Sequence, residues 1–195
     1  MKPLLKVINL HHDPAQLIRK ATGGNREAQN EIYRRYAPKM LSVCRSYVSD
    51  LQYAEDVMVT GFFKVFKSLS SYRNEGSFEG WIRRIMVRQC IDHLRKSRPE
   101  QFVDLTTCEP LPRMQELEVP GYFETELLQM LIDQMPEGYR TVFLMYAVEG
   151  YSHQEIAEAL GISVSTSKTQ LFKARKQLQG KLAELKPEIY EVGRI

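Results

Sequence analysis

Tyr151-Ser152-His153-Gln154-Glu155-Ile156-Ala157-Glu158-Ala159-Leu160-Gly161-Ile162-Ser163-Val164 is the stretch on which the reading of this chain turns. Ser152 followed three positions later by Glu155 has capping-box spacing. Each side chain can serve the other's backbone N–H, so a helix starts here. Ile156 and Leu160 form its apolar face, and Ala157 is small where a second helix must approach closely. Gly161 can take the left-handed conformation that ends a helix. Ile162 plugs the turn, and Ser163 can cap a following helix.

Helical spacing predicts that this following helix buries Val164, Ser167, Leu171, Ala174, Leu178 and Leu182. Its other faces carry Ser165, Thr166, Lys168, Thr169, Gln170, Phe172, Lys173, Arg175 and Lys176. From Ser163 to Lys181 there are five basic residues and no acidic one. A short capped helix, a tight Gly turn and a basic, hydroxyl-rich helix make a helix-turn-helix whose second helix can enter a major groove. Lys and Arg attract phosphates, while Ser, Thr and Gln reach base edges. An ordinary helical hairpin with a solvated basic face would not require the cap, Ala157, Gly161 and the acid-free helix together.

Upstream of this pair, Leu127, Leu128, Leu131 and Met135 predict a helix stopped near Pro136. Tyr139, Val142, Phe143 and Tyr146 predict another, ending at Gly150. Before them, residues 99–126 hold four of the nine prolines, seven acidic residues and one basic residue. Such a stretch cannot bury a core and reads as a flexible acidic linker over 99–124. The N-terminal block is helical again. Ala28, Ile32, Tyr36, Met40, Val43 and Tyr47 mark one apolar face. Ala54, Val57, Met58, Gly61, Phe62, Val65, Phe66 and Leu69 mark a second. Phe78, Trp81, Ile82, Ile85, Met86, Cys90, Ile91 and Leu94 mark a third. Asp50 and Ser77 stand where N-caps belong. The expected fold is therefore all-α: two small helical domains, 14–98 and 125–184, joined by the linker.

The N-terminal block carries its own basic surface. Arg84, Arg88 and Arg95 fall on one stripe of the third helix. Just before that helix lies the polar loop Ser71-Tyr72-Arg73-Asn74-Glu75-Gly76-Ser77-Phe78, and Trp81, the only tryptophan, follows. A basic helix beside an aromatic-bearing loop suits single-stranded DNA, the cations holding the backbone and the loop pocketing a splayed base. Taken alone, Trp81 reads as a core residue.

Other classes are disfavoured. The chain has 195 residues, a net charge of +3 and 43% hydrophobic residues, which suits packed cores. No apolar run reaches the ~18 residues of a transmembrane helix. The start, MKPLLKVINLHHDPAQ, is broken by Asn9, His11 and His12, and no small-residue cleavage site follows, so a signal peptide is not expected. Cys44, Cys90 and Cys108 are widely spaced and form no CxxC pair, as in reduced cytoplasmic thiols rather than a zinc site or a disulfide. His93 and His153 are isolated. No P-loop, dinucleotide fingerprint, HExxH or nucleophile elbow is present. Glu55 and Asp56 are adjacent and point about 100° apart, which makes no shared carboxylate site. No enzyme activity, cofactor, metal or small-molecule substrate is expected.

Three motifs in order now carry a resemblance. Ala54-Glu55-Asp56-Val57 with Gly61-Phe62-Phe63-Lys64-Val65-Phe66 resembles the region-two helix of bacterial RNA polymerase sigma factors. Gly76-Ser77-Phe78-Glu79-Gly80-Trp81-Ile82-Arg83-Arg84-Ile85 resembles their melting loop and following helix. Tyr151 to Ile162, with Lys173-Ala174-Arg175-Lys176-Gln177-Leu178, resembles their region-four helix-turn-helix. The two-domain layout is similar to the extracytoplasmic-function (ECF) group, over about residues 14–184. The resemblance implies a sigma factor that binds core RNA polymerase through the β′ coiled coil and the β flap, and directs initiation at promoter DNA. Domain one would melt the minus-ten element and domain two would bind the minus-thirty-five duplex. It implies that Ser165, Thr166, Lys168, Thr169, Gln170, Phe172, Lys173 and Lys176 face the upstream element. Asn74, Ser77, Trp81, Arg84 and Arg88 would lie near the melted strand, and Asp56, Phe62 and Phe63 in the polymerase-docking region. A membrane anti-sigma factor is a partner known for the group. Two departures stand out. Val59-Thr60 replaces the usual Gln-Glu pair, and Ser165-Thr166-Ser167-Lys168-Thr169-Gln170 stands where Gly-Thr-Val-Lys-Ser-Arg is common. An autonomous helix-turn-helix regulator would account for the C-terminal block but not for the Ser77 loop or the arginine stripe.

Overall fold

The computed structural model describes residues 14–97 and 125–192, and all regular structure among them is helical. The 99–124 linker, His11, His12 and Cys108 lie outside the described residues. The chain divides into two compact units. One takes in residues up to Cys44 together with Gln52–Gln89; the other takes in Arg45–Leu51 together with the chain from Cys90 onward. The divisions fall inside continuous helices, where hydrophobic periodicity has no break to mark them.

In the first unit, α1 spans Pro14–Thr22 and buries Leu17 and Ala21. Proline suits the first helical position because its missing N–H would have no partner there. Asn25 opens α2 (Arg26–Tyr47): its Oδ1 accepts from Ala28 N at 2.8 Å. Ile32, Met40 and Cys44 line the buried face of α2. Helix α3 (Leu51–Ser68) buries Ala54, Val57, Met58, Gly61, Phe62 and Val65, then tightens into a 3-10 turn at Leu69–Ser71. Helix α4 (Phe78–Ser97) starts where Ser77 Oγ accepts from Gly80 N at 3.4 Å. Lys39 and Glu79 pair at 2.9 Å across α2 and α4, but both are well exposed, so the apolar core, not this pair, holds the unit.

The second unit contains α5 (Thr125–Asp133), α6 (Glu137–Phe143), α7 (His153–Leu160) and α8 (Val164–Val192). Arg140 is buried and donates from Nη1 to the Asp133 carbonyl at 3.2 Å, satisfying a carbonyl at the end of α5. A single π turn, Leu144–Val148, extends α6 and is closed by Glu149 N donating to Leu144 O at 3.0 Å. The extra residue in that turn leaves Leu144 and Met145 buried and Tyr146 at the surface. Ile156, Leu160, Ile162, Leu171, Ala174, Leu178 and Leu182 are buried as their spacing predicts. Val164 is not: it is 40% exposed. Ile162 reaches inward from the turn, and Val164 stays outside.

At Gly61 the Met86 side chain takes the space that a side chain would need. A Cβ built there would overlap the thioether of Met86, itself fully buried on α4. Gly61→Val should therefore cost about 1–3 kcal/mol by overpacking, read as a lower urea midpoint. Adding Met86→Ala should recover part of that loss, because it opens the space the new methyls need.

Candidate nucleic-acid interface

The helix-turn-helix is built by local hydrogen bonds. Ser152 N and Oγ both donate to Glu155 Oε2, at 2.8 and 2.7 Å, and Glu155 N donates to Ser152 Oγ at 3.2 Å. The bond from the Ser152 backbone, then that from its side chain, hold the Glu155 carboxyl below the ordinary carboxylate range. At the other end of α7, Gly161 is left-handed at φ 69°. The Gly161 and Ile162 N–H groups both donate to Ala157 O, at 2.9 and 3.1 Å. Ser163 then caps α8, its Oγ accepting from Thr166 N at 3.0 Å and lying 2.7 Å from Ser165 Oγ and 2.9 Å from Thr166 Oγ1.

The exposed face of α8 presents Val164, Ser165, Lys168, Lys173 and Lys176, with Thr169, Phe172 and Arg175 half-buried among them. Thr166 and Gln170, read from sequence as base-facing, are buried. Gln170 Oε1 is enclosed without a hydrogen-bond partner. Both positions lie on the side of α8 turned toward the domain core, so they are corrected from DNA-facing to packing residues. Lys173 Nζ stands 6.0 Å over the Tyr139 ring, and the Arg175 guanidinium 5.5 Å over Tyr146.

His153, isolated in sequence, is part of a cluster in the fold. Its ring stacks on Tyr146 at 4.7 Å between centroids, and its Nδ1 lies 2.9 Å from Oγ of the fully buried Ser167. The bond ties the start of α7 to α8 fourteen residues on. Neither partner is foreseeable from spacing within one helix. Burial, with Lys168 and Arg175 adding like charge, holds the imidazole below its ordinary value of 6.5.

In the first unit, Tyr72 Oη donates to Gly76 O at 2.8 Å and closes the loop before α4. Asn74 sits in the left-handed region at φ 58° and Gly76 at φ 90°. Asn is among the few non-glycine residues that tolerate this conformation. The loop leaves Asn74 and Ser77 exposed beside an aromatic wall. Tyr72 meets Phe78 edge-on at 5.0 Å and Trp81 at 5.4 Å, while Phe78 and Trp81 stack at 5.8 Å. Phe78 is buried and Trp81 half-buried, so the indole both packs and remains accessible. Arg84 and Arg88 are exposed on α4, one turn apart; Arg95 falls in the part of α4 that belongs to the second unit.

Of the three α3 residues read as docking residues, Asp56 is exposed and Phe63 is 69% exposed. Phe62 is 2% exposed and meets Tyr33 edge-on at 4.8 Å. It is a core residue, since successive helix positions point about 100° apart. Val59, at 55% exposure, joins Phe63 one turn away, an apolar pair the sequence reading did not single out as a surface. No cluster of three or more His, Cys, Asp or Glu side chains suited to a metal occurs among the described residues, and none of their helices is long and apolar enough to cross a membrane.

These are the parts of a helical DNA-binding protein with a recognition helix in one unit and a basic, aromatic-rimmed loop in the other. Comparison with known proteins places it further. Residues 32–100 match Sigma-70 region 2, and residues 125–178 match Sigma-70, region 4. The RNA polymerase sigma factor SigV of Bacillus subtilis is 32% identical over 139 residues, 71% of this chain and 81% of its own. The ECF RNA polymerase sigma factor SigW of the same organism is 26% identical over 179 residues, 86% of this chain and 96% of its own. In structure, the chain is similar to CnrH in complex with the cytosolic domain of CnrY, with a TM-score of 0.47 and 21% identity over 87% of this chain and 96% of that one. The chain belongs to the RNA polymerase sigma-70 family, in its ECF group.

The His153 cluster makes a test of the second unit's stability. The imidazole binds a proton less readily folded than unfolded, so its contribution is present above pH 6.5 and is lost as pH falls from there through the lower folded value. Thermal melting of the parent should fall over that acidic window, and His153→Gln should flatten the dependence.

Proposed function

We propose that this chain directs promoter-specific initiation by binding core RNA polymerase and two promoter elements. Residues 125–184 would bind the minus-thirty-five duplex through α8, and residues 14–98 would open the minus-ten element, with 99–124 linking them. The observation that carries the reading is the capped helix-turn-helix whose second helix turns Ser165, Lys168, Thr169, Phe172, Lys173 and Lys176 outward on an acid-free surface. Lysines there neutralise phosphates, and the first-turn residues approach base edges. Support for opening comes from the loop closed by Tyr72. A base taken from the stack costs a few kcal/mol, which pocket contacts must offset. Asn74, Ser77 and the accessible part of Trp81 supply polar and stacking groups, with Arg84 and Arg88 for the strand's phosphates. Support for docking comes from α3, where Asp56, Val59 and Phe63 form an exposed acidic and apolar surface that the unit's own core leaves uncovered.

Run-off transcription with core RNA polymerase on genomic fragments tests the whole reading. Discrete transcripts that depend on the chain are expected. Specific duplex binding by the chain alone, with no effect on core polymerase, would point to an autonomous regulator instead. In duplex-binding titrations at several salt concentrations, Lys168→Ala or Lys173→Ala should weaken binding to all duplexes and lower the log–log salt slope by about 1. Asn74→Ala and Ser77→Ala should reduce permanganate-detected opening while leaving upstream duplex binding intact. Equal opening by parent and variants would reduce this loop to a surface turn.

The two neighbouring phenylalanines separate docking from folding. Phe63→Ala should lower affinity for core polymerase with melting temperature unchanged, since the ring is exposed. Phe62→Ala should instead destabilise the first unit by about 3–5 kcal/mol, measured by denaturant unfolding.

A further inference from the structure

The first turn of α8 presents an apolar residue where its spacing predicted a core one. Val164 is the first residue of the helix and is 40% exposed. Ile162, next to the left-handed Gly161, is buried instead, at 8% exposure. A lone exposed valine is ordinary on a protein surface. This one stands at the N-terminal end of a recognition helix, the part that contacts base edges when such a helix lies in a major groove. It is one turn before Lys168 and next to Ser165, on the exposed face.

The exposed polar group of that turn is the Ser165 hydroxyl, and it is already engaged at the cap. Ser163 Oγ lies 2.7 Å from Ser165 Oγ and 2.9 Å from Thr166 Oγ1 at the cap. Thr166 and Ser167 are buried, and Ser167 is engaged by His153. The turn carries no amide or charged side chain. Its exposed apolar group is the isopropyl of Val164, which can neither neutralise a phosphate nor bond a purine edge. The major groove holds one apolar feature, the 5-methyl of thymine, and small apolar side chains are its natural contact.

We infer that Val164 is a specificity-determining residue that reads a thymine methyl in the upstream duplex element. The inference rests on the DNA-binding reading of α8 and adds to it a named base contact.

The test uses the full-length chain assembled with core RNA polymerase. Duplexes are first selected from a pool randomised over the upstream element. Each thymine of the selected duplex is then replaced singly by uracil, which removes the methyl and keeps the pairing. At one position uracil should weaken parent binding about three- to five-fold, the worth of one buried methyl. Val164→Ala should bind the thymine duplex correspondingly less well and no longer distinguish uracil there. Val164→Thr, which keeps a methyl at the same place, should retain the discrimination. If every uracil duplex binds the parent as well as thymine does, the inference is wrong while DNA binding by α8 stands. The same holds if Val164→Ala keeps the full penalty at the same position. If selection enriches no sequence, the DNA-binding reading fails and the inference falls with it.

Discussion

Gly161 sets the angle at which α8 leaves α7, and the direction of the second unit's exposed basic face follows from it. Its left-handed conformation brings two successive N–H groups onto Ala157 O and lets Ile162 enter the core. A residue with a Cβ would hold that conformation at a cost of roughly 1–2 kcal/mol. The capping box at Ser152 and the Ser163 cap hold the helix ends on either side, and His153 on Ser167 ties the two helices to each other. Lys168, Lys173 and Lys176 of α8 are exposed. What gives them a shared direction is this set of short polar contacts around an apolar plug.

The first unit solves a different problem. The surface loop before α4 must keep polar groups exposed without collapsing onto its own aromatic residues. Tyr72 serves both ends of that requirement: its ring packs on Phe78 and Trp81, and its hydroxyl closes the backbone at Gly76. Asn74 and Ser77 are left at the surface by that closure. On α3, the absence of a side chain at Gly61 admits the Met86 thioether. The exposed Phe63 and Val59 stand on the other side of α3, so one helix carries core residues and an uncovered apolar pair on opposite faces.

Much of this was legible in the chain itself. The runs through Ala54, Val57 and Phe62, and through Ile82, Met86 and Cys90, mark helix faces that are buried in the fold. The capping box and the Gly161 stop were visible because they are set by neighbours three or four residues apart. Helix α1 was missed, although Pro14, Gly23 and Asn25 are its start, its stop and the next helix's cap. The π turn after Phe143 was not foreseeable, because one extra residue leaves the apolar pattern on either side almost unchanged.

Sequence alone determined that α2 through α8 are helical, where α7 begins and ends, and that the stretch from Ser163 to Lys181 is basic and free of acid. Periodicity and capping are local, so they need no knowledge of the rest of the chain. Tertiary structure alone decided which side chains of those helices reach solvent. Thr166 and Gln170 turned inward and Val164 turned outward, because exposure depends on what packs opposite a helix and on how the turn before it is plugged. It also joined His153 to Tyr146 and Ser167, three residues on three elements whose meeting depends on how the helices cross.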